Sequence, residues 1–169
     1  MTAIRTITTG TTGFAVAGAL AASDFVRAAA DGFKTIINFR PDGEAPAQMT
    51  AAEERDLALK HGLAYVHIPA AKYDVFTDPV VDSALGALAQ AKGPVLAHCA
   101  SGQRAVMIWA AACARQEPVD RVLHALKSAD FDFGFLRDDL DAQADRARWR
   151  TPGPASQPAT AHQDTLVAA

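Results

Sequence analysis

Short apolar runs of strand length alternate with helix-forming segments along this chain, and that alternation limits the folds open to it. Lys34-Thr35-Ile36-Ile37-Asn38-Phe39, Ala64-Tyr65-Val66-His67-Ile68 and Val95-Leu96-Ala97-His98 are apolar or β-branched runs, each followed by a loop and then a helical segment. Repeated strand–loop–helix units predict an α/β fold: a mainly parallel central sheet of four to five strands with helices on both faces. Phe14 to Val16 adds a short edge strand, and residues 1–12, rich in Thr and Gly, read as an irregular lead-in.

The helices have recognisable ends. A segment from Ser23 to Gly32 has Ser23 as a candidate N-cap and Gly32 as a stop. Thr50 with Glu53 three residues later forms a capping box, and His61-Gly62 closes that helix. Pro79 lies near the start of a helix that runs to about Lys92. Helices are also expected from about Gly102 to Arg115, over 118–128 and over 134–149. From Thr151 onward Pro, Ala, Ser and Thr dominate without a period, so 151–169 reads as a disordered tail behind a single domain over 1–150.

With 169 residues, half of them hydrophobic, one domain with a sizeable core is expected. A net charge of -3 and the absence of a Lys/Arg cluster argue against a nucleic-acid partner. No stretch approaches the ~20 apolar residues of a membrane span. Two cysteines are too few for a disulfide framework, which fits a reducing, cytoplasmic setting. The apolar run Phe14–Ala22 resembles a signal-peptide core but is interrupted by Gly18, and it is read as part of the domain.

In a parallel sheet, Asn38-Phe39, His67-Ile68 and Ala97-His98 are all C-terminal strand ends. The loops Arg40–Glu44, Lys72–Asp78 and Cys99–Arg104 should then line one pocket rim, where open α/β sheets bind ligands. The last of these loops carries the chemistry. Cys99 sits just before a helix N-terminus, where unpaired N–H groups and the helix dipole favour anions, and Arg104 is nearby. Both effects favour a thiolate over a thiol whose ordinary pKa is about 8.5. The N–H groups of Ala100, Ser101, Gly102, Gln103 and Arg104 can cradle an oxyanion. Gly102 permits the tight turn, and Arg104 can grip two oxygens of a tetrahedral anion. Cys113 lies about 16 Å further along the same helix, which excludes a bridge to Cys99, and it shares a face with Ala105, Ile108, Trp109 and Ala112 as core.

Gly32-Phe33-Lys34-Thr35-Ile36-Ile37-Asn38-Phe39-Arg40-Pro41-Asp42-Gly43-Glu44, His61-Gly62-Leu63, His67-Ile68-Pro69 and His98-Cys99-x-Ser101-Gly102-x-Arg104 together resemble the beta-lactamase-hydrolase-like phosphatase domain family, over most of residues 13–148. This is a bacterial branch of the cysteine-phosphatase fold whose members are regarded variously as tyrosine-phosphatase-like enzymes and as sulfur transferases. The resemblance implies Cys99 as nucleophile, Arg104 as oxyanion clamp and His98 as support for the thiolate. Two departures stand out. The Cys-x4-Arg spacing is one residue shorter than that of tyrosine phosphatases, and Ala105 stands where Ser or Thr usually helps the cysteine leave a covalent intermediate.

A phosphatase also needs a general acid. Asp74, shortly after a strand end, is the first candidate and is equally a solvated loop charge. Asp78 is the second, although Thr77-Asp78-Pro79 also reads as a helix start. Arg40 either binds a substrate anion or pairs with Glu44 to brace its loop. His61, His67, His124 and His162 lack metal-ligand spacing, and no cofactor is expected. The sequence therefore predicts a cysteine-dependent phosphatase acting on a phosphorylated substrate through a cysteinyl-phosphate intermediate. A rhodanese-like sulfurtransferase, carrying sulfane sulfur as a Cys99 persulfide, is the alternative, and a non-catalytic oxyanion or persulfide sensor is the third reading.

Overall fold

Four parallel strands end in the same row, and this register decides where the loops meet. In the computed structural model, which describes residues 3–7 and 13–149, the strands are β1 (Ile4–Ile7), β2 (Phe14–Ala17), β3 (Thr35–Asn38), β4 (Ala64–His67) and β5 (Val95–His98). Their order is β1-β2-β5-β3-β4. His98 is paired across the sheet with Ala17 on one side and Asn38 on the other, and Asn38 with His67. The loops that follow therefore leave from one edge, as the alternation predicted.

Two expectations need correction. Phe14–Ala17 is not an edge strand: it lies between β1 and β5, and all four residues are buried. The edge is β1, antiparallel to β2 and placed within the supposed irregular lead-in. Its Ile7 is fully buried in the main core. Arg5 reaches from β1 to the carbonyls of Ala129 and Asp130 and lies 3.9 Å from the Phe131 ring centroid. Such a four-residue strand has too short a pattern to stand out, and long-range contacts specify it. The tail 151–169 and His162 lie outside the described residues.

The helices are α1 (Ala22–Ala30), α2 (Ala51–Lys60), α3 (Asp78–Gln90), α4 (Gln103–Ala114), α5 (Val119–Ser128) and α6 (Arg137–Trp149), the last preceded by a single 3-10 turn over Gly134–Leu136. Thr50 and Glu53 form the expected capping box: Glu53 N–H donates to Thr50 Oγ1 at 3.2 Å and Thr50 N–H donates to Glu53 Oε2 at 2.8 Å. Ser23 is not the cap of α1. The helix starts one residue earlier behind Ala21, whose N–H donates to Asp24 Oδ2 at 3.0 Å. Asp24, at the third helical position, thus supplies the carboxylate half of a capping box by accepting the N–H of the N-cap residue.

Alternation along the strands divides the core into two layers. Ala15, Ala17, Ile36 and Leu96 face α1 and α2, with Phe25, Ala28 and Ala58. Phe14, Val16, Ile37, Val95, Ala97 and Cys99 face the other way, against α3, α4, α5 and α6. Nine of the twelve residues of α4 are buried, so α4 is a central helix covered on all sides. Trp109 stacks on Phe14 with centroids 5.3 Å apart. No helix among the described residues is long and apolar enough to cross a membrane.

Because β1 closes the core through Ile7, Ile7→Ala should lower the unfolding free energy by about 2–4 kcal/mol. Urea titration reads this as a lower midpoint at unchanged slope. An unchanged midpoint would mean β1 contributes no burial.

Candidate active site

Cys99 lies one residue beyond β5 and is 1% exposed. The chain then turns through Ala100 and Ser101 to Gly102, which has φ +91° and stands at the N-cap position of α4. Two observations make that position a glycine. The left-handed conformation strains any L side chain, and a Cβ would sit 3.2 Å from the Ala17 carbonyl oxygen. The turn aims the Gly102 N–H at Cys99 Sγ, 3.1 Å away. Ala19 N–H donates to the Ala100 carbonyl at 3.0 Å, fastening the loop to the end of β2. Ser101 and Gln103 are exposed. They line, with Gly102, Arg5, Phe131 and Phe133, a cleft of about 230 Å³. A groove of about 800 Å³ between β4 and α3 is lined by none of the candidate residues.

Arg104 is buried in the first turn of α4, and both ends of its guanidinium are engaged. Nη1 donates to the Ala70 carbonyl at 2.7 Å and Nη2 to Glu44 Oε2 at 2.6 Å. The same Glu44 oxygen accepts from Arg40 Nε at 2.9 Å. The loops after β3, β4 and β5 therefore converge on one cation, as the strand ends required. Hydrogen bonds from Arg104 and then Arg40, with the charges of both, hold the Glu44 carboxyl below its ordinary range.

Arg40 thus braces its loop through Glu44, one of the two roles the sequence left open. Its backbone is fixed as well: its N–H donates to Asn38 Oδ1 at 2.7 Å, and its carbonyl lies 2.9 Å from His67 Nε2, which must carry the proton because a carbonyl only accepts. Asp42 Oδ1 accepts the Ala51 N–H at the start of α2. Sequence reasoning missed the Glu44–Arg104 pair, whose members are sixty positions apart with no local pattern to join them.

Asp74 lies in the turn that follows Ala70, four residues from the carbonyl that Arg104 grips. It is partly buried, and its Oδ2 accepts the Ala71 N–H at 3.2 Å. Asp78 stands elsewhere. Its carboxylate pairs with Arg115 and Arg146, and Arg115 terminates α4, about 16 Å along the helix from Arg104. The second candidate acid is therefore built into an ion-pair cluster at the far end of α4, and Thr77, not Asp78, occupies the N-cap position of α3.

His98 is fully buried, and its ring does not share a face with the thiol. Alternation along β5 sends Ala97 and Cys99 to the α4 side and His98 to the α2 side, where Nε2 lies 3.1 Å from Glu54 Oε2. His98 and Cys99 are joined through the backbone and share no side-chain contact in the hydrogen bonds and ion pairs of either residue. Glu54, Asn38 and Tyr65, grouped around His98, are the other residues that sequence reasoning missed. The available signal was a glutamate on the inward stripe Ala51–Glu54–Ala58 of α2. Among the described residues no cluster of three or more His, Cys, Asp or Glu side chains could hold a metal ion.

A five-stranded sheet in this order, with a cysteine after its central strand and an arginine opening the next helix, is the cysteine-phosphatase fold of the tyrosine and dual-specificity type. A family model for the phosphatase-like domain of beta-lactamase hydrolase-like protein matches residues 4–116, and the chain belongs to that family. The match starts at β1, earlier than the motifs suggested. A beta-lactamase hydrolase-like protein of Agrobacterium fabrum is 38% identical over 94 residues, which is 56% of this chain and 22% of that protein. The chain thus aligns with about a fifth of the length of its curated relative. A candidate phosphatase of Neisseria meningitidis superposes with a TM-score of 0.67 at 28% identity, covering 77% of this chain and 92% of that one. A kinase associated phosphatase carrying a Cys-to-Ser substitution at its catalytic site reaches a TM-score of 0.69 at 13% identity, over 89% and 98% of the two chains, and shares the fold.

The two cysteines should react differently. Burial, aided by Glu117, pushes the Cys113 thiol up to about 12, so at pH 7 Cys113 is protonated, and its half-buried position does not make up for the missing thiolate. Brief iodoacetamide treatment of the native protein should give one adduct, mapped by mass spectrometry to Cys99, and Cys113→Ala should leave its rate unchanged.

Glu44 occupies one arm of the Arg104 guanidinium with a negative charge. Glu44→Gln should therefore tighten inorganic phosphate binding by about three- to tenfold, as read by calorimetry. The group's pKa is depressed, so the Glu44 contact is fully present above the ordinary carboxylate range and fades only as pH falls below it. Measured with sulfate, whose charge does not change over this range, the wild-type difference from Glu44→Gln should accordingly be constant from pH 5.5 to pH 8.

Proposed function

We propose that this chain is a cysteine-dependent phosphatase acting on phosphomonoesters, with Cys99 as nucleophile. The observation that carries the reading is the pairing of a backbone N–H on Cys99 Sγ with a buried arginine five residues on. The loop N–H groups and Arg104 supply preorganised donors for oxygens that gain charge in the transition state.

In the first step the Cys99 thiolate attacks phosphorus. The S–P bond forms as the P–O ester bond breaks, and Asp74 gives its proton to the departing oxygen. For Arg104 to grip two phosphoryl oxygens, Glu44 must yield its place on Nη2, so substrate entry is an exchange of one anion for another. In the second step water attacks phosphorus, the S–P bond breaks, and the carboxylate of Asp74 takes the proton of the attacking water. Ala105 supplies no hydroxyl to assist that cleavage, and hydrolysis of the cysteinyl phosphate is the slow step.

Ala105 also favours a second reading, sulfur transfer. There the thiolate attacks the outer sulfur of thiosulfate, sulfite leaves, and the Cys99 persulfide passes its terminal sulfur to an acceptor. That cycle needs neither a carboxylic acid nor a hydroxyl after the arginine.

Aryl phosphate hydrolysis and thiosulfate-to-cyanide transfer, measured on wild type, Cys99→Ser and Asp74→Asn, separate the two. Phosphatase turnover should fall by about 10²-fold in Asp74→Asn, the scale of a lost general acid, and disappear in Cys99→Ser. Sulfur transfer that survives Asp74→Asn, with negligible wild-type phosphatase turnover, would establish the second reading instead. Retention of either activity in Cys99→Ser would refute both.

A further inference from the structure

The inward stripe of α2 carries one carboxylate between two alanines. Ala51, Glu54 and Ala58 are its buried residues, and Glu54 is 4% exposed. An ionised carboxylate in such a place is costly unless its oxygens are paired. Glu54 Oε2 accepts hydrogen bonds from Asn38 Nδ2 and from the Tyr65 hydroxyl, each at 2.8 Å. Burial pushes the Tyr65 phenol well above its ordinary range, so it stays a donor. The third neighbour of the same oxygen is His98 Nε2 at 3.1 Å. This contact is within ion-pair distance without the alignment of a hydrogen bond, and neither His98 ring nitrogen has a hydrogen-bond partner among the described residues. A wholly buried imidazole therefore depends on this one carboxylate for its orientation.

The neighbours of Glu54 are not equivalent. His98 directly precedes Cys99. Asn38 is paired with His98 across the sheet and holds the Arg40 N–H through its own Oδ1. Arg40 holds Glu44, and Glu44 holds Arg104. One oxygen thus joins the backbone that leads to the thiol with the backbone that leads to the clamp. Tyr65, on β4, donates to Glu54 and accepts from Asn38 Nδ2 at 2.9 Å, but it touches neither the backbone before Cys99 nor Arg40, so it reaches the site only through an Asn38 amide that Glu54 also holds.

We propose that Glu54 is a positioning residue: by fixing the His98 ring and the Asn38 amide it sets Cys99 and Arg104 in register without touching substrate. The proposal rests on Cys99 being the nucleophile. A cluster that merely holds the fold together would treat its three neighbours alike, because each satisfies the same buried oxygen. A positioning carboxylate separates them, since only His98 and Asn38 continue into the site.

The experiment compares wild type with Glu54→Gln, His98→Asn, Tyr65→Phe and the Glu54→Gln/His98→Asn pair. It reads the rate of Cys99 alkylation by iodoacetamide at pH 7, kcat and KM for an aryl phosphate, and the melting temperature. Glu54→Gln should slow alkylation and lower kcat by about tenfold, the scale of one network coupling, with KM changed by less than about threefold. Tyr65→Phe should lower the melting temperature yet keep the alkylation rate within about twofold. The double variant should be no slower than the slower single. An unchanged rate in Glu54→Gln, an equal loss in Tyr65→Phe, or additive losses in the pair would each overturn the proposal. Should Glu54→Gln fail to fold, His98→Asn against Tyr65→Phe supplies the same contrast. Alkylation does not depend on which group is transferred, so a wild type without phosphatase turnover would sink the phosphatase reading and leave this comparison intact.

Discussion

The buried guanidinium of Arg104 is the interaction on which the rest of the site depends. A cation taken out of water must be met by acceptors, and here they arrive from two other loops: the Ala70 carbonyl after β4 and Glu44 after β3. The requirement fixes more than the arginine. Ala70 anchors the turn that holds Asp74, and Glu44 draws Arg40 inward, so a single electrostatic need assembles three separate loops. The parallel register makes this possible, because strands ending in one row deliver their loops within a side chain's reach of each other.

The period of two along β5 then divides the work between the faces of the sheet. Cys99 and Ala97 enter the apolar layer against α4, where Ala105, Ile108 and Trp109 exclude water. His98 enters the opposite layer, where a small polar cluster interrupts an otherwise apolar packing of α1 and α2. Water exclusion on one side strengthens the Gly102 N–H contact to sulfur. The fixed hydrogen bonds on the other side hold the strand ends that carry the loops. Neither face alone would define the position of the thiol.

Much of this was legible in the sequence, because local chemistry repeats. Three strands, the Thr50–Glu53 box, the central helix and the Cys99–Arg104 loop follow from period, capping and spacing over a few residues. What was illegible depends on distance along the chain. β1 is four residues whose only strong signal, Ile7, acquires meaning once β2 lies beside it. The start of α1 is marked by Asp24, whose carboxylate accepts the Ala21 N–H, and not by Ser23, which lies inside the helix. Asp78 reads first as part of a helix start and second as an acid, and its ion pair with Arg115 from another helix cannot be read locally. Glu54 looks like any helical glutamate, and only the alanines on either side of it mark the face as buried.

The occupied clamp bears on which anion the site would accept. Glu44 is partly exposed and offers Arg104 a single oxygen at 2.6 Å, while the other arm of the guanidinium is spent on a carbonyl. A competing anion gains most if it can replace that one oxygen and also meet the backbone N–H groups of the loop, which a carboxylate on a side chain cannot reach together with the arginine. A tetrahedral oxyanion does both: one oxygen takes the place of Glu44 and others point into the loop. A neutral or singly contacting ligand would only trade one hydrogen bond for another, with no net gain. On the phosphatase reading proposed above, the exchange at Arg104 would act as a discriminating step ahead of chemistry. It would favour doubly charged, multiply contacting groups such as a phosphomonoester over simple carboxylates, which would meet an arm already held by one of their own kind.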